Sequence, residues 1–385
     1  MHSKARRFIK GIKMAAYVFA VGGSENAFAQ IREMVECGIY STRINSLSPV
    51  PFEGTVADYQ SMKAGDDVYF FSKRKFYGIG KLVNVGPDCK YNNYPDATLL
   101  MELNYSGFAG RELKYYGKSQ TPKMRWLCFF KPSPAFFVDG LDMDDVLRYK
   151  PYCFKMIRAF EKRSFIKLDD EESRALREIF LIRKSEDKNV LPFNSREQEQ
   201  IAKRRLEDYC IKADDLMIHG AYDRQKRCFK HEMAIEACLV GQLVSGESFL
   251  GKWDFVSHQV VASPAKPVSY MDRMDVLAMR YVPNETVVNK YLVAEIKKDM
   301  ADESTISQVM EYVDWLCDNY AYGDYGMIEA CVIAPDFRKI TDDSLPRLCT
   351  RTYMTGSHPA TTKHWSAIKL VKCSVSAGKM VLEPN

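Results

Sequence analysis

A run of apolar residues that ends in charged side chains, YLVAEIKK at 291–298, constrains the fold of this chain more than any other stretch. Successive side chains of a β-strand point to opposite faces, and the residues before Glu295 are apolar at every position. The run therefore predicts a strand that is covered on both faces. Glu295 and Lys297 would emerge at the end of that buried strand, where a charged group is costly unless it is paired or binds a metal ion.

A second acidic residue precedes this strand, in the segment RMDVLAMRY. If the two strands are neighbours, Asp275 and Glu295 project from adjacent strand ends into one pocket. Together with the backbone carbonyl of Ile296, these carboxylates form a set of hard oxygen ligands suited to Mg²⁺ or Mn²⁺. Lys297 would lie close enough to hold a water molecule and to stabilise the charge that develops on a phosphate. The pattern predicts a phosphodiesterase centre, with Asp272 as an alternative to Asp275.

The Glu-x-Lys spacing is weak evidence by itself, because it arises by chance about once in 250 residues of average composition. Glu112 and Lys114 have the same spacing in GRELKYYG, a polar segment flanked by glycines, and are predicted to lie on the surface. The later instance differs because it belongs to an ordered set of elements. An acidic helix and a strand with an aspartate come before it, and a helix with Gln308 and Tyr312 on one face comes after it.

This ordered set resembles the PD-(D/E)XK nuclease superfamily, in its RecB-like and NucS-like branch with a Gln-x-x-x-Tyr helix. The segments HEMAIEACL, RMDVLAMRY, YLVAEIKKDM, ISQVMEYVDWL, MIEACVIAPDF and HWSAIKLVKCSV follow in family order over residues 228 to 375. The resemblance implies a restriction-endonuclease-like mixed sheet flanked by helices, with Asp275 and Glu295 as metal ligands and Lys297 as the catalytic lysine. It also implies a carboxylate from the preceding helix, Glu232, with Glu236 one turn later as the alternative. The catalytic residues that it implies are Glu232, Asp275, Glu295, Lys297, Gln308 and Tyr312.

The first half of the chain is the more basic half. Residues 1–185 carry 30 Lys and Arg against 21 Asp and Glu, whereas residues 186–385 carry 25 against 29. Aromatic residues in this half, among them Tyr40, Phe71 and Trp126, stand near polar or basic segments. Aromatic faces and cationic groups together suit stacked bases and phosphates. The first half is therefore predicted to contact nucleic acid, although most aromatic residues at strand spacing belong to a core.

The order of these segments resembles the EVE and YTH modules of the PUA-like superfamily, which are small β-barrels with helices that hold a modified base in an aromatic pocket. YVFAVGGSENAF, GIYSTR and VYFFSKRKFYGIGKLV carry the resemblance over about residues 15 to 180. Tyr40 stands where relatives often have tryptophan. The nucleic-acid-binding residues that the resemblance implies are Ser24, Asn26, Tyr40, Thr42, Phe71 and Trp126.

A chain of 385 residues suits two α/β domains, each able to bury its own core. The predicted boundaries are a reader domain at 1–185, a linker with a helix at 186–227 and a nuclease domain at 228–385. No apolar stretch approaches the length of a membrane span, and the short apolar run after the basic start is interpreted as a first strand. A cytoplasmic location is expected.

The eleven cysteines are scattered through apolar segments without a CxxC pair, which favours reduced thiols in a core. A zinc site formed by Cys210, His219, Cys228 and His231 is a minor alternative, because their spacing matches no known ligand pattern.

A reader domain joined to a nuclease domain is similar to modification-dependent restriction enzymes and antiphage nucleases. The leading hypothesis is a Mg²⁺-dependent or Mn²⁺-dependent DNA endonuclease that acts on DNA with or without modified bases. Cutting both strands requires two centres, so a homodimer or larger assembly is expected. Two alternatives remain open at this point. One is a nucleic-acid-binding or regulatory protein that no longer cuts, and the other is a repair nuclease for mismatched or branched DNA.

Overall fold

The computed structural model describes residues 15–22, 27–43, 49–93, 125–133, 140–160, 163–184, 191–218, 220–341 and 343–385. The described parts of the chain form two α/β domains, each built on one main sheet with helices beside it. This agrees with the fold class that the sequence predicts.

The N-terminal domain is built on a sheet that curls into a half-barrel. The central strands follow the order β2-β6-β4-β3-β1-β8, while β5 pairs with β6 and β7 pairs with β4. Its elements are β1 (Ala16–Ala20), α1 (Ala27–Cys37), β2 (Ile39–Arg43), α2 (Pro49–Ser61), β3 (Asp67–Ser72), β4 (Lys75–Leu82), β5 (Lys90–Tyr91), β6 (Arg125–Pro132), β7 (Leu141–Asp142), α3 (Met143–Tyr149), β8 (Phe165–Leu168) and α4 (Asp170–Lys184).

The C-terminal domain is built on a mixed sheet with the strand order β11-β12-β13-β14-β17-β18. Its elements and those that lead into it are α5 (Arg196–Ala202), α6 (Asp214–Ile218), β9 (Tyr222–Asp223), β10 (Cys228–Phe229), α7 (Glu232–Ser245), β11 (Phe255–Val261), β12 (Arg273–Tyr281), β13 (Val288–Ile296), α8 (Glu303–Asn319), β14 (Ile328–Ala334), α9 (Ser344–Cys349), β15 (Arg351–Thr355), β16 (Thr361–Trp365), β17 (Ile368–Ser376) and β18 (Lys379–Pro384).

Strand β13 is covered on both faces, which confirms the prediction from its sequence. Tyr291 and Val293 belong to the hydrophobic cluster that includes the buried face of α8. Leu292 and Ala294 point the other way, into the cluster that includes α7. Because α7 and α8 cover opposite faces, the sheet of the C-terminal domain is buried in the middle of the domain.

The strand pairing brings the charged ends of β12 and β13 to one edge of the sheet. The two strands are antiparallel, with Val276 opposite Ala294, so β12 begins where β13 ends. Strand β14 runs parallel to β13, and the N–H of Lys297 donates to the carbonyl of Ile333 at 2.9 Å. The start of β12 and the ends of β13 and β14 therefore meet at the same edge.

Helix α2 lies between the two domains and is buried nearly all round. Phe52 and Val56 pack in the hydrophobic cluster, while the acidic side chains of Glu53 and Asp58 are also buried. The helix contacts β8 in its own domain and both α7 and β11 in the C-terminal domain. It therefore belongs to the interface as much as to the N-terminal domain.

The segment predicted to be a linker packs against both domains where the structure describes it. The amide of Gln198 in α5 donates to the carbonyls of Gly38 at 2.7 Å and Phe130 at 3.0 Å. Leu216 and Met217 in α6 are buried in the same hydrophobic cluster as α7. These contacts attach the connecting segment to the two domains that it joins.

None of the helices in the described ranges is both long enough and apolar enough to span a membrane.

Candidate active site

The first part of the site is a contact between the ends of β12 and β13. The Oδ2 atom of Asp275 accepts a hydrogen bond from the backbone N–H of Ile296 at 2.8 Å. This bond ties the carboxylate of Asp275 to the end of the strand that carries Glu295. The convergence of the two strand ends that the sequence predicts is present in the structure.

Glu295 and Lys297 form an ion pair at this edge. The Nζ atom of Lys297 lies 2.7 Å from Oε1 of Glu295. The carboxylate is almost completely buried, at 2% exposure, whereas 28% of the lysine side chain is exposed. The amine is thus the accessible member of the pair. The other carboxylate oxygen of Glu295, Oε2, is buried without a hydrogen-bond partner among the described residues.

A carboxylate from α7 joins this group through the side chain of Gln259. The Nε2 atom of Gln259 lies 3.0 and 3.2 Å from the two carboxylate oxygens of Glu236 and 3.1 Å from Oδ1 of Asp275. One amide group therefore bridges two acidic residues from different elements. Glu236, a buried residue on a largely apolar helix, is brought to the same edge as Asp275.

The backbone of Gln259 is unusual for a residue in a strand. Its φ is 52°, in the left-handed region, although it is not a glycine. The ladder between β11 and β12 pairs His258 with Val276 and Val260 with Met274, and Gln259 lies between these two pairs. Strained backbone of this kind often occurs at functional sites, where the surrounding structure maintains it. Here it accompanies the side chain that bridges Glu236 and Asp275.

The two candidate glutamates of α7 have different surroundings. Oε1 of Glu232 accepts a weak hydrogen bond from the N–H of Lys298 at 3.3 Å, and Glu232 is close enough to Glu295 and Lys297 for electrostatic interaction. Glu236 instead bonds to the amide that also holds Asp275. We therefore place Glu236 with Asp275 and Glu295, and Glu232 at the rim beside Lys297.

Electrostatics at this edge reflect several buried acids that lie close together. Burial raises the pKa of Asp275 well above its ordinary value, and the nearby carboxylates of Glu236 and Glu295 add to the rise. Burial also raises the pKa of Glu295, while Lys297 opposes this rise. Burial alone would lower the pKa of Lys297, but its bond to Glu295 raises it above the usual value. A buried group of acids with one amine is an environment that favours binding of an additional positive charge.

The donor atoms at this edge fit a hard divalent cation by type. Asp275, Glu236 and Glu295 supply carboxylate oxygens, and Oε2 of Glu295 is buried without a partner in the described part of the chain. Carboxylates and carbonyls are the ligands that Mg²⁺ and Mn²⁺ prefer. Within the described ranges, no three His, Cys, Asp or Glu side chains are arranged as ligands of one ion. The amide of Gln259 and the amine of Lys297 bond to the carboxylate oxygens instead.

Gln308 and Tyr312 lie on one face of α8 as predicted, but they bond to each other. Nε2 of Gln308 donates to the hydroxyl of Tyr312 at 3.1 Å. Burial raises the pKa of Tyr312 to about 12, and the acids Glu295 and Asp275 are among the charges that contribute. Tyr312 therefore lies near the acidic group. The catalytic role implied for Gln308 stays a prediction, and in the structure its amide is directed at Tyr312.

Asp272, the alternative strand aspartate, has its ion pair outside this group. It forms an ion pair with Lys266 at 2.6 Å, and both side chains are about half exposed. Glu112 and Lys114, which share the Glu-x-Lys spacing, lie outside the described residues.

Sequence reasoning did not identify His258 and Gln259 as part of the site. Nδ1 of His258 lies 3.4 Å from Oε2 of Glu236, an ion-pair distance without the alignment of a hydrogen bond. Burial alone would lower the pKa of His258, but the carboxylates of Asp58 and Glu236 raise it to about 9. The one signal in the sequence was the polar pair His-Gln inside the apolar run FVSHQVV.

The residues predicted to bind nucleic acid are dispersed in the N-terminal domain. Tyr40 is fully buried, donates its hydroxyl proton to the carbonyl of Ala20 at 2.5 Å and packs on Phe19. Trp126 is 2% exposed and packs on Phe52 of α2. Because neither ring has an open face, their expected contact with a base is corrected. Both are core residues.

Two of the other four predicted residues are partly accessible, and two cannot be placed. Phe71 is half-buried at the end of β3, where its ring contacts Phe76 and Phe160. Thr42 is half-buried in β2, where it pairs with Trp126 in β6. Ser24 and Asn26 lie outside the described residues.

The alternative zinc site receives no support from the described residues. All eleven cysteines are free thiols, and most are buried. His231 pairs with Glu53 at 3.0 Å, and no metal-binding group that includes Cys210 or Cys228 is found in the described ranges. His219 lies outside these ranges.

Comparisons with known proteins give only distant matches. No family model and no curated protein matches the sequence. A hypothetical protein from Leishmania major matches with a TM-score of 0.27 and 11% identity, over 44% of this chain and 97% of that chain. A repair endonuclease from Pyrococcus abyssi matches with a TM-score of 0.19 and 21% identity, over 29% of this chain. The chain spans 42% of the length of that endonuclease.

Proposed function

We propose that the C-terminal domain is a divalent-cation-dependent phosphodiesterase that cleaves DNA. The observation that carries the proposal is the meeting of three carboxylates, two of them buried and one half-buried, with one accessible amine at a single sheet edge. Asp275 and Glu295 come from adjacent strands, Glu236 comes from α7, and Lys297 follows β13. Groups of buried acids are rare in structural cores because their desolvation is costly, so such a group favours a functional role.

The carboxylates would hold Mg²⁺ or Mn²⁺, with the carbonyl of Ile296 as a further oxygen ligand. A cation bound there would neutralise the charge on a phosphodiester. It would also compensate the mutual repulsion of Asp275, Glu236 and Glu295, which adds to the effect of burial in raising the pKa of Asp275.

Lys297 would act on the substrate directly. Burial would lower the pKa of its amine, but the bond to Glu295 raises that pKa above the ordinary value, so the amine keeps its positive charge at neutral pH. Its side chain is partly exposed. A fixed cationic donor in a partly buried site stabilises negative charge that develops on a phosphate oxygen in the transition state. Tyr312, which lies near Asp275 and Glu295, would border the pocket in which that phosphate is bound.

The N-terminal domain would contact nucleic acid through a basic turn next to Phe71. Lys73, Arg74 and Lys75 follow Phe71 after one intervening serine and are exposed, and Arg74 also pairs with Asp144. Lys73 and Arg74 have φ values of 46° and 62°, so both residues adopt the left-handed conformation that two-residue hairpins require. Asn and Gly suit this turn better, so the use of Lys and Arg favours a role in binding phosphates.

A domain that contacts DNA joined to a domain that cuts it supports a role in modification-dependent restriction or antiphage defence. The substrate would be duplex DNA, with or without modified bases, and a homodimer would supply the second centre for the second strand. Repair of mismatched or branched DNA is the other use that the same chemistry allows.

Cleavage assays with matched lysine variants test the proposed chemistry. Modified and unmodified phage DNA are incubated side by side with the full-length protein and Mg²⁺ or Mn²⁺. Lys297→Ala is expected to reduce the cleavage rate by about 100-fold or more, because it removes a charge that stabilises the transition state. Lys298→Ala is the control, since Lys298 is the adjacent lysine and pairs with the exposed Asp299. Its rate should remain close to that of the wild type.

Two results would contradict the proposal. Wild type and Lys297→Ala could be equally inert on every DNA and RNA form tested, or they could cleave at equal rates. Equal rates on modified and unmodified DNA would remove the restriction role but leave the cleavage chemistry intact.

A further inference from the structure

Two histidines of the C-terminal domain pair with acidic residues of α2 across the domain interface. His231 lies 3.0 Å from Glu53, and His258 lies 3.2 Å from Oδ1 of Asp58. The second pair is the more enclosed, because the side chains of His258 and Asp58 are only 7% and 11% exposed. A buried pair of this kind restrains both partners, since breaking it leaves an uncompensated polar group.

The Asp58–His258 pair leads to the candidate active site. The second ring nitrogen of His258 lies 3.4 Å from Glu236, whose carboxylate bonds through Gln259 to Asp275. Arg163, also from the N-terminal domain, interacts electrostatically with both Asp58 and Glu236. A continuous series of polar contacts thus runs from α2 of the first domain to the acidic group of the second.

We propose that Asp58 is a positioning residue of the N-terminal domain that fixes the carboxylate of Glu236 at the cation site through His258. The site that binds the cation is then complete only when the two domains are docked. This inference rests on the proposed function, because it assigns to Glu236 the role of holding the cation.

The physical argument depends on how His258 shares its two carboxylates. With Asp58 in place, the ring is held through Nε2 and the carboxylate of Glu236 is left to bond to Gln259 as well. Without Asp58, Glu236 is the remaining acidic partner of the ring among the described residues. The ring would then turn toward Glu236 and draw its carboxylate away from Asp275. Residues that orient metal ligands typically change metal affinity by about 10–100-fold when they are removed.

The test measures Mn²⁺ binding to the full-length protein by isothermal titration calorimetry, together with DNA cleavage kinetics. Asp58→Ala is expected to raise the Kd for Mn²⁺ by about 10-fold. It should lower kcat at limiting Mn²⁺, leave the KM for DNA unchanged, and regain its rate at high Mn²⁺. A merely structural role would not produce this dependence on Mn²⁺ concentration. Tyr320→Phe is the control, because it removes another interdomain hydrogen bond, 3.1 Å to Asp169, away from the acidic group.

Asp58→Asn provides a second variant if Asp58→Ala does not fold, because it keeps the volume of the side chain and removes only its charge. It too should weaken Mn²⁺ binding, while Tyr320→Phe should bind as the wild type does. If the wild type binds Mn²⁺ and cleaves DNA but the folded Asp58 variant has the same Kd, the positioning role is overturned and the proposed function stands. If the wild type neither binds Mn²⁺ nor cleaves, both are overturned.

Discussion

Gln259 shows at the level of a single residue how the site departs from ordinary strand structure. A left-handed backbone costs a residue other than glycine about 1–2 kcal/mol. The side chain of Gln259 offsets this cost by donating to the buried Glu236 and the half-buried Asp275, which would otherwise have one hydrogen-bond donor fewer. The side-chain amide of Gln259 thus donates hydrogen bonds to both carboxylates in the protein without a cation. A bound cation would take the place of this donor.

Two substitutions of Gln259 separate the strain in its backbone from the contacts of its side chain. Both Gln259→Ala and Gln259→Gly remove the amide, but only glycine adopts a φ of 52° without strain. Glycine avoids the strain of the left-handed backbone but loses more chain entropy on folding than alanine does. The glycine variant is therefore expected to be about 0.5–1 kcal/mol more stable than the alanine variant. Urea denaturation of the two variants without metal measures this difference. An alanine variant of equal or greater stability would mean that the backbone is not strained.

Helix α8 shows how local sequence sets an element that borders the site. Asp302 caps the helix, accepting hydrogen bonds from the N–H groups of Ser304 at 3.0 Å and Thr305 at 3.3 Å. The hydroxyl of Thr305 accepts in return from the N–H of Asp302, which completes a capping box. This cap fixes the start of the helix a few residues after Lys297, so Tyr312 is placed beside the acids of the sheet edge.

Loss of this cap should destabilise the C-terminal domain. Asp302→Ala removes the side chain that accepts the two N–H groups, at a cost of about 1 kcal/mol. For a domain of this size, the melting temperature should fall by about 2–4 °C. Differential scanning calorimetry measures the shift. Asp302→Ser is the matched control, because serine caps helices nearly as well as aspartate. If the serine variant loses as much as the alanine variant, the cap is not the cause.

At the scale of the whole molecule, the two domains are joined through buried polar groups as well as apolar ones. Lys167 of β8 donates to the carbonyl of Val256 in β11 at 2.9 Å, and its amine lies over the rings of Tyr17 and Phe255. Tyr281 of β12 donates to Asp170 at 3.1 Å on another part of the same interface. Such contacts fix one relative placement of the domains, as the positioning role proposed for Asp58 requires.

The buried amine of Lys167 gives the interface a dependence on pH with a definite sign. Burial lowers its pKa from 10.5 to about 8. Between these values the unfolded chain binds more protons than the folded protein does, so the contribution of Lys167 to stability increases as the pH rises from about 8 to 10.5. Lys167→Met lacks this contribution. The difference in melting temperature between wild type and variant should therefore be constant below pH 8. Above pH 8, the melting temperature of the wild type should rise relative to that of the variant.

Measurements below pH 8 are the control, because Lys167 is protonated there in both the folded and the unfolded protein. A difference that stays constant up to pH 10.5 would contradict the burial of the amine.

Particular residues show how much of the site was predictable. The apolar runs in RMDVLAMRY and YLVAEIKK predicted two strands whose charged ends would meet if the strands were neighbours, and the structure has Asp275 bonded to the end of β13. The choice between Glu232 and Glu236 was not predictable, because both lie on one face of α7. Tyr40 and Trp126 were expected at a ligand, since an aromatic residue in a strand has the same local pattern whether its ring is buried or open.

Helix α2 was missed altogether, because PVPFEGTVADYQS contains two prolines and a glycine and has no apolar stripe. A helix that is buried on all sides needs no such stripe, and its burial results from the packing of two domains that are distant in the sequence. The same distance in sequence hid the contact between Asp58 and His258, which are separated by 200 positions.

The sequence by itself determined strands β12 and β13, helices α7 and α8, and the carboxylates and amine at the ends of the two strands, because periodicity and spacing act over a few residues. The tertiary structure alone decided which glutamate of α7 joins Asp275, which aromatic rings are enclosed, and that α2 brings Asp58 to His258. These outcomes depend on contacts between elements far apart in the chain, whose free energy is gained only when both domains are packed together.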